Sequence, residues 1–119
     1  MNNVSYKKLL TWQKADDLAY IIYSKTIDFP NQEKFGLVSQ MRRAALSVPA
    51  NIAEGYNRIS IRDKIHFYII AEGSLNELEY YIDFSLRLNY LNKNDQLQLM
   101  DLKKEVGRLL NGLIKSWRK

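Results

Sequence analysis

The sequence holds no cysteine, one histidine, two prolines and five glycines in 119 residues. Without cysteine there is no disulfide, no thiolate nucleophile and no thiolate metal ligand, a usage that fits a reducing compartment. With His66 as the sole imidazole, Ser47 and Ser74 would have to share one distant base in any nucleophilic arrangement. Di-iron sites in helical bundles need two Glu-x-x-His pairs plus two further carboxylates, and the nearest approach is a single Asp63-x-x-His66. Glycine-rich phosphate loops of the Walker or dinucleotide type are missing; Gly55, Gly73 and Gly112 stand alone and read as cap or packing glycines. No apolar run approaches the roughly 20 residues that cross a bilayer, and the stretch from Met1 to Lys8 is polar, unlike a signal peptide. Together these absences predict a cytoplasmic protein away from membranes, not an enzyme, with no metal and no cofactor.

Hydrophobic residues make up 46% of the chain and charged residues 26%, an ordinary globular balance. The length is that of one domain, taken as residues 1–119. Apolar residues recur three and four apart in four segments, the signature of amphipathic helices. The first is expected from about Thr11 to Asp28, with Trp12, Ala15, Ala19, Ile22 and Thr26 on its apolar stripe. Thr11 is its expected N-cap, and Phe29-Pro30 ends it because a residue before proline is pushed out of the α region. The second runs from about Gln32 to Tyr56, with Leu37, Met41, Ala44, Val48 and Ile52 facing inward. Pro49 removes one helical hydrogen bond, at a cost of about 3 kcal/mol in a regular helix; the periodicity continues past it, so one kinked helix is expected rather than two short ones.

Ser60 followed by Asp63 has the form of a helix start. The third helix then extends to about Leu88, with Asn89 as a cap that tolerates the left-handed conformation. After a polar turn, the fourth spans about Asp95 to Trp117, with Leu99, Leu102, Val106, Leu109 and Leu113 at heptad-like spacing. Four such helices joined by short links predict an all-α, antiparallel up-down-up-down four-helix bundle.

Polar residues mark three surfaces. Gln40, Arg43, Ser47, Asn51, Glu54 and Arg58 form a stripe along the second helix. It reads either as a solvated face or as an interhelical network of Arg43, Asn51, Glu54 and Glu77, in which Arg43 pairs with the two carboxylates. The net charge is +5. In an up-down bundle the chain start, the second link and the chain end share a pole, which would gather Arg58, Arg62, Lys64, Lys115, Arg118 and Lys119 into a basic end able to touch phosphates; the alternative is a charged exterior serving solubility. Tyr20, Tyr23, Tyr80, Tyr81 and Phe84 exceed what one stripe per helix can bury, which favours a subunit interface over half-buried tyrosines.

Specific strings carry a resemblance. Trp12-Gln13-Lys14-Ala15, Phe35-Gly36-Leu37, Arg42-Arg43-Ala44, Ser47-Val48-Pro49-Ala50-Asn51-Ile52-Ala53-Glu54-Gly55, Glu77-Leu78-Glu79 and Leu110-Asn111-Gly112-Leu113-Ile114 succeed one another along nearly the whole chain. Together they resemble the four-helix-bundle proteins encoded in 23S ribosomal RNA intervening sequences, also called S23 ribosomal proteins. Asn89 departs from that pattern where a glycine is common, and Trp117 where a leucine is usual. The resemblance implies a cyclic homopentamer. It also implies kinship with accessory proteins of diversity-generating retroelements, which bind nucleic acid and a reverse transcriptase. The function expected is therefore non-enzymatic binding of nucleic acid, structured RNA foremost, mainly through phosphates. The alternative is a ring-shaped scaffold that docks a partner protein without nucleic acid.

Overall fold

The four amphipathic stripes become four long helices in the computed structural model, which describes residues 5–118. They are α1 (Leu10–Thr26), α2 (Leu37–Asn57), α3 (Ile61–Arg87) and α4 (Lys93–Trp117). Neighbours in the chain pack against each other and α1 also packs on α4, so the helices close into an antiparallel four-helix bundle measuring 46 × 25 × 20 Å. Leu18, Ile22, Met41, Val48, Ile52, Leu75, Leu78, Ile82, Leu99, Val106 and Leu110 are fully buried along its axis, as the helical spacing predicts.

Local chemistry explains the helix ends. Asp63 N–H donates to the Ser60 hydroxyl oxygen at 3.0 Å, and Asp95 N–H donates to Asn92 Oδ1 at 2.8 Å, each satisfying an amide that the first turn leaves free. Asn89 ends α3 in the left-handed region at φ 63°, as expected of the residue type. Three starts differ from the sequence expectation; α4 begins at Lys93, capped by Asn92, rather than at about Asp95. Thr11 does not cap α1; it lies buried inside the first turn, because a 3₁₀ turn at Tyr6–Lys8, capped by Ser5, leads into the helix one residue earlier. The second helix begins at Leu37 rather than Gln32, since Asn31–Glu33 forms a separate 3₁₀ turn and Gly36 takes a non-helical conformation. Glu33 Oε1 then accepts from Leu37 N–H at 3.4 Å. Beyond that point α2 continues unbroken through the buried Pro49.

The links sort the chain to two poles. At one, Lys25 Nζ lies 2.9 Å from Asp95 Oδ1 and the Tyr90 hydroxyl donates to Glu33 at 2.8 Å, tying the α1–α2 and α3–α4 links together. The other pole holds the chain start, the α2–α3 link and the end of α4, and it carries the candidate site.

Candidate nucleic-acid interface

The second pole is assembled around one close approach. At Gly55, near the end of α2, a Cβ would lie 2.6 Å from Cε1 and 2.8 Å from Cδ1 of Tyr68. Only hydrogen fits there, so the Tyr68 ring on α3 presses directly on the α2 backbone. This brings Lys64, one turn before Tyr68, under the C-terminal end of α2. Its ammonium donates to the Tyr56 carbonyl at 2.8 Å, an acceptor that the helix end leaves free, and to the Gly55 carbonyl at 3.4 Å, which also accepts from Arg58 N–H. The same nitrogen stands 5.7 Å from the Tyr56 ring centre and 5.2 Å from that of Trp117 on α4. Burial lowers the Lys64 pKa, while Tyr68 is pushed up to about 12 by burial and then by Tyr56.

These side chains surround a cleft of about 560 Å³. Leu9 and Leu113 supply aliphatic walls, Tyr56, Tyr68 and Trp117 aromatic ones, and Lys64 and Ser116 the polar positions. No carboxylate lines it among the described residues. Tyr68 is 1% exposed, and among the described residues its hydroxyl has no hydrogen-bond partner.

The residues expected at a basic end divide by what they already do. Arg62 in the first turn of α3, Lys115 in the last turn of α4 and Arg118 at its cap are exposed at this pole. Lys7 and Lys8 on the first 3₁₀ turn are exposed at the same end, where that turn packs on α1 and α2. Arg58 is engaged: it lies 2.6 Å from Glu54 and 4.7 Å over the Phe67 ring. Lys64 is engaged with the α2 carbonyls. Lys119 lies outside the described residues. The juxtaposition of Lys64 with Trp117 had no local signal, because 53 positions separate them and only the bundle topology joins them.

The expected network of Arg43, Asn51, Glu54 and Glu77 does not form within one chain. Arg43 and Glu54 sit 11 positions apart on one helix, which is about 16 Å along the axis and beyond the reach of an ion pair. Arg43 is exposed, Glu54 pairs with Arg58, and among the described residues Arg43 has no carboxylate within 4.0 Å. Arg43 and Glu77 do flank Tyr81, whose hydroxyl is pushed up by burial and by the Glu77 carboxylate against the opposing guanidinium. A smaller polar link forms between the middles of α2 and α3. Asn51 Nδ2 donates to the Ser47 carbonyl at 2.8 Å and to Ser47 Oγ at 3.0 Å, and Ser47 Oγ lies 2.7 Å from Ser74 Oγ.

His66 is exposed, with its ring edge-on to Phe67 at 5.3 Å. Among the described residues no three His, Asp or Glu side chains converge as a metal ion would require, and no helix is long and apolar enough to cross a membrane.

The chain superposes on the crystal structure of a protein of unknown function from the S23 ribosomal protein family of Bacteroides thetaiotaomicron with a TM-score of 0.80. The two are 27% identical, over 89% of this chain and 99% of that one. No curated protein matches the chain. Residues 7–112 match the family described as 23S rRNA-intervening sequence protein, and a match across all four helices and both poles shows that this chain belongs to that family.

Proposed function

We propose that this protein is a non-enzymatic, homo-oligomeric nucleic-acid-binding protein that holds structured RNA mainly through phosphates at the basic pole. The observation that carries this is the clustering of Arg62, Lys115 and Arg118, exposed and without an ion-pair partner among the described residues, on one end of the bundle. Lys7 and Lys8 extend the same positive surface. Towards the phosphates, Arg58 and Lys64 contribute field rather than direct contacts, since both are held by neighbours. The family name, which places these proteins in 23S rRNA intervening sequences, supports RNA as the polyanion. Each phosphate neutralised on a duplex changes the slope of log affinity against log salt by about 0.9. The test is RNA binding titrated across salt for the native chain and for a variant carrying Arg62→Gln, Lys115→Gln and Arg118→Gln. A weaker affinity and a slope shallower by about 2–3 are expected; an unchanged slope would assign binding to another surface.

A second surface supports the oligomeric part of the proposal. Tyr20 is 74% exposed and Phe35 89% exposed, and with Tyr23 and Leu46 they line adjoining grooves of about 550 and 410 Å³ beside α1 and α2. Exposed aromatic side chains of this kind are enriched at protein interfaces. Self-association through this face, as a homopentamer, is the occupant we favour over a separate partner protein.

A further inference from the structure

The phosphate-binding surface proposed above surrounds a cleft that phosphates alone do not explain. Its walls are three aromatic rings and two leucines, its volume is about 560 Å³, and its polar groups are an ammonium, three hydroxyls and an indole N–H, with no acid lining it among the described residues. Pockets of roughly 300–1,000 Å³ with apolar walls and few polar groups take small planar ligands. The lining is selective in charge: Lys64 disfavours a cation, and the apolar walls disfavour a bare phosphate. What remains is a flat, neutral body bearing hydrogen-bond acceptors and attached to anionic groups.

Two details narrow it further. Lys64 uses two of its three N–H donors on the carbonyls of Gly55 and Tyr56, which leaves one N–H. Tyr68 lines the cleft, and no hydrogen bond to its hydroxyl forms among the described residues, so a ligand or water in the cleft can take that donor. Ser116 already donates to the Leu113 carbonyl at 2.6 Å and presents lone pairs as an acceptor. Trp117 is 38% exposed, leaving indole surface for stacking. Arg62, Lys115 and Arg118 are exposed at the same pole.

We infer that this cleft is a nucleobase subsite, in which one unpaired base of the bound strand stacks on Trp117 and accepts hydrogen bonds from Lys64 and Tyr68 while its flanking phosphates rest on Arg62, Lys115 and Arg118. The inference rests on the nucleic-acid function proposed above. It adds that the protein prefers an unpaired nucleotide, at a loop, bulge or end, over a continuous duplex, because a paired base cannot enter the cleft.

The test compares a single-stranded oligouridylate, a duplex RNA carrying the same number of phosphates, and free uridine monophosphate, each against the native chain and three variants. Trp117→Leu keeps an apolar wall and removes the stack; Tyr68→Phe removes only the hydroxyl; Arg62→Gln with Lys115→Gln thins the phosphate rim. The native chain is expected to bind the single strand more tightly than the duplex. Trp117→Leu should lower single-strand affinity by about tenfold, as loss of a base–aromatic stack does, with the salt slope unaltered. Tyr68→Phe should lower it by about fivefold, with unfolding confirming an intact fold. The rim variant should instead flatten the salt slope for both RNAs. If it does so while Trp117→Leu and Tyr68→Phe bind the single strand as the native chain does, the subsite is overturned and the phosphate surface stands. Monophosphate binding as tight as the oligonucleotide's overturns the assignment to a strand. If none of the RNAs binds, both proposals fall.

Discussion

Gly55 and Tyr68 set the geometry of the basic pole, and they make different predictions. A methyl group at Gly55 meets a rigid, buried ring at 2.6 Å and the Lys64 carbonyl oxygen at 3.0 Å, neither of which can swing aside. Gly55→Ala should therefore cost about 1–3 kcal/mol of stability, the range for overpacking a filled core. Gly112→Ala, where a Cβ would meet nothing within 4 Å, should stabilise by about 0.5–1 kcal/mol as alanine does within a helix. Urea unfolding of the two variants checks the opposite signs. Tyr68 predicts an alkaline effect. Its folded-state pKa of about 12 lies above the ordinary value of 10.0, so the folded chain keeps the proton longer than the unfolded chain does. That contribution is fully present below pH 10 and is lost as the pH rises from 10 through about 12, by up to about 3 kcal/mol for a shift of this size. Unfolding free energies measured on both sides of pH 10 should fall less steeply for Tyr68→Phe than for the native chain.

Helix ends carry the element-scale energetics. α3 and α4 each begin with a side-chain cap, Ser60 onto Asp63 and Asn92 onto Asp95, whereas α1 and α2 begin without one. Ser60→Ala and Asn92→Ala should each lower stability by about 1 kcal/mol, read as a fall in thermal midpoint of a few degrees. The Ser60 cap was legible in sequence because the capping residue and its target are three positions apart, a local signal; at α4 the polar turn offered several candidates, and packing selected Asn92. The start of α1 was not legible: a threonine before an apolar run is a fair N-cap by type, but the preceding turn had already begun the helix. Pro49 shows the reverse. Its local cost argues for a break, and burial of the surrounding apolar face outweighs that cost, so α2 stays whole.

For the whole molecule, the unpartnered surface is concentrated beside α1 and α2 and along α3. Tyr20, Phe35 and Leu46 are exposed on the first, and the stacked Tyr80 and Phe84 rings, 5.8 Å apart, lie on the second. A monomer leaving this much aromatic surface in water gains by covering it. Light scattering should report an oligomer for the native chain, and Tyr20→Ser with Leu46→Ser should shift it towards monomer while helical circular dichroism is retained. A monomeric native chain at micromolar concentration would sink the oligomeric part of the proposal. The expected Arg43 network belongs to this scale as well. Sequence spacing placed Arg43, Glu54 and Glu77 on faces that meet, but ion pairs need side-chain reach, and the helix rise separates Arg43 from Glu54. Ser47 and Ser74 instead meet between α2 and α3, since short hydroxyls suit helices packed this closely.

The apolar periodicity by itself determined four helices, their inward faces and a bundle architecture, because burial depends on which residues share a face and that is periodic in the chain. It also put the chain start, the α2–α3 link and the end of α4 at one pole, since antiparallel topology follows from short links. The tertiary structure alone decided which of those cations are spent and which are free. Lys64 turns inward onto the last carbonyls of α2, Arg58 turns back to Glu54, and Arg62, Lys115 and Arg118 remain exposed. The cleft was likewise beyond the sequence: its rings come from three separate helices, and their meeting depends on Gly55 admitting the Tyr68 ring to the α2 backbone. Periodicity encodes which face of a helix turns inward; it does not encode how closely two faces approach, and that distance made the cleft.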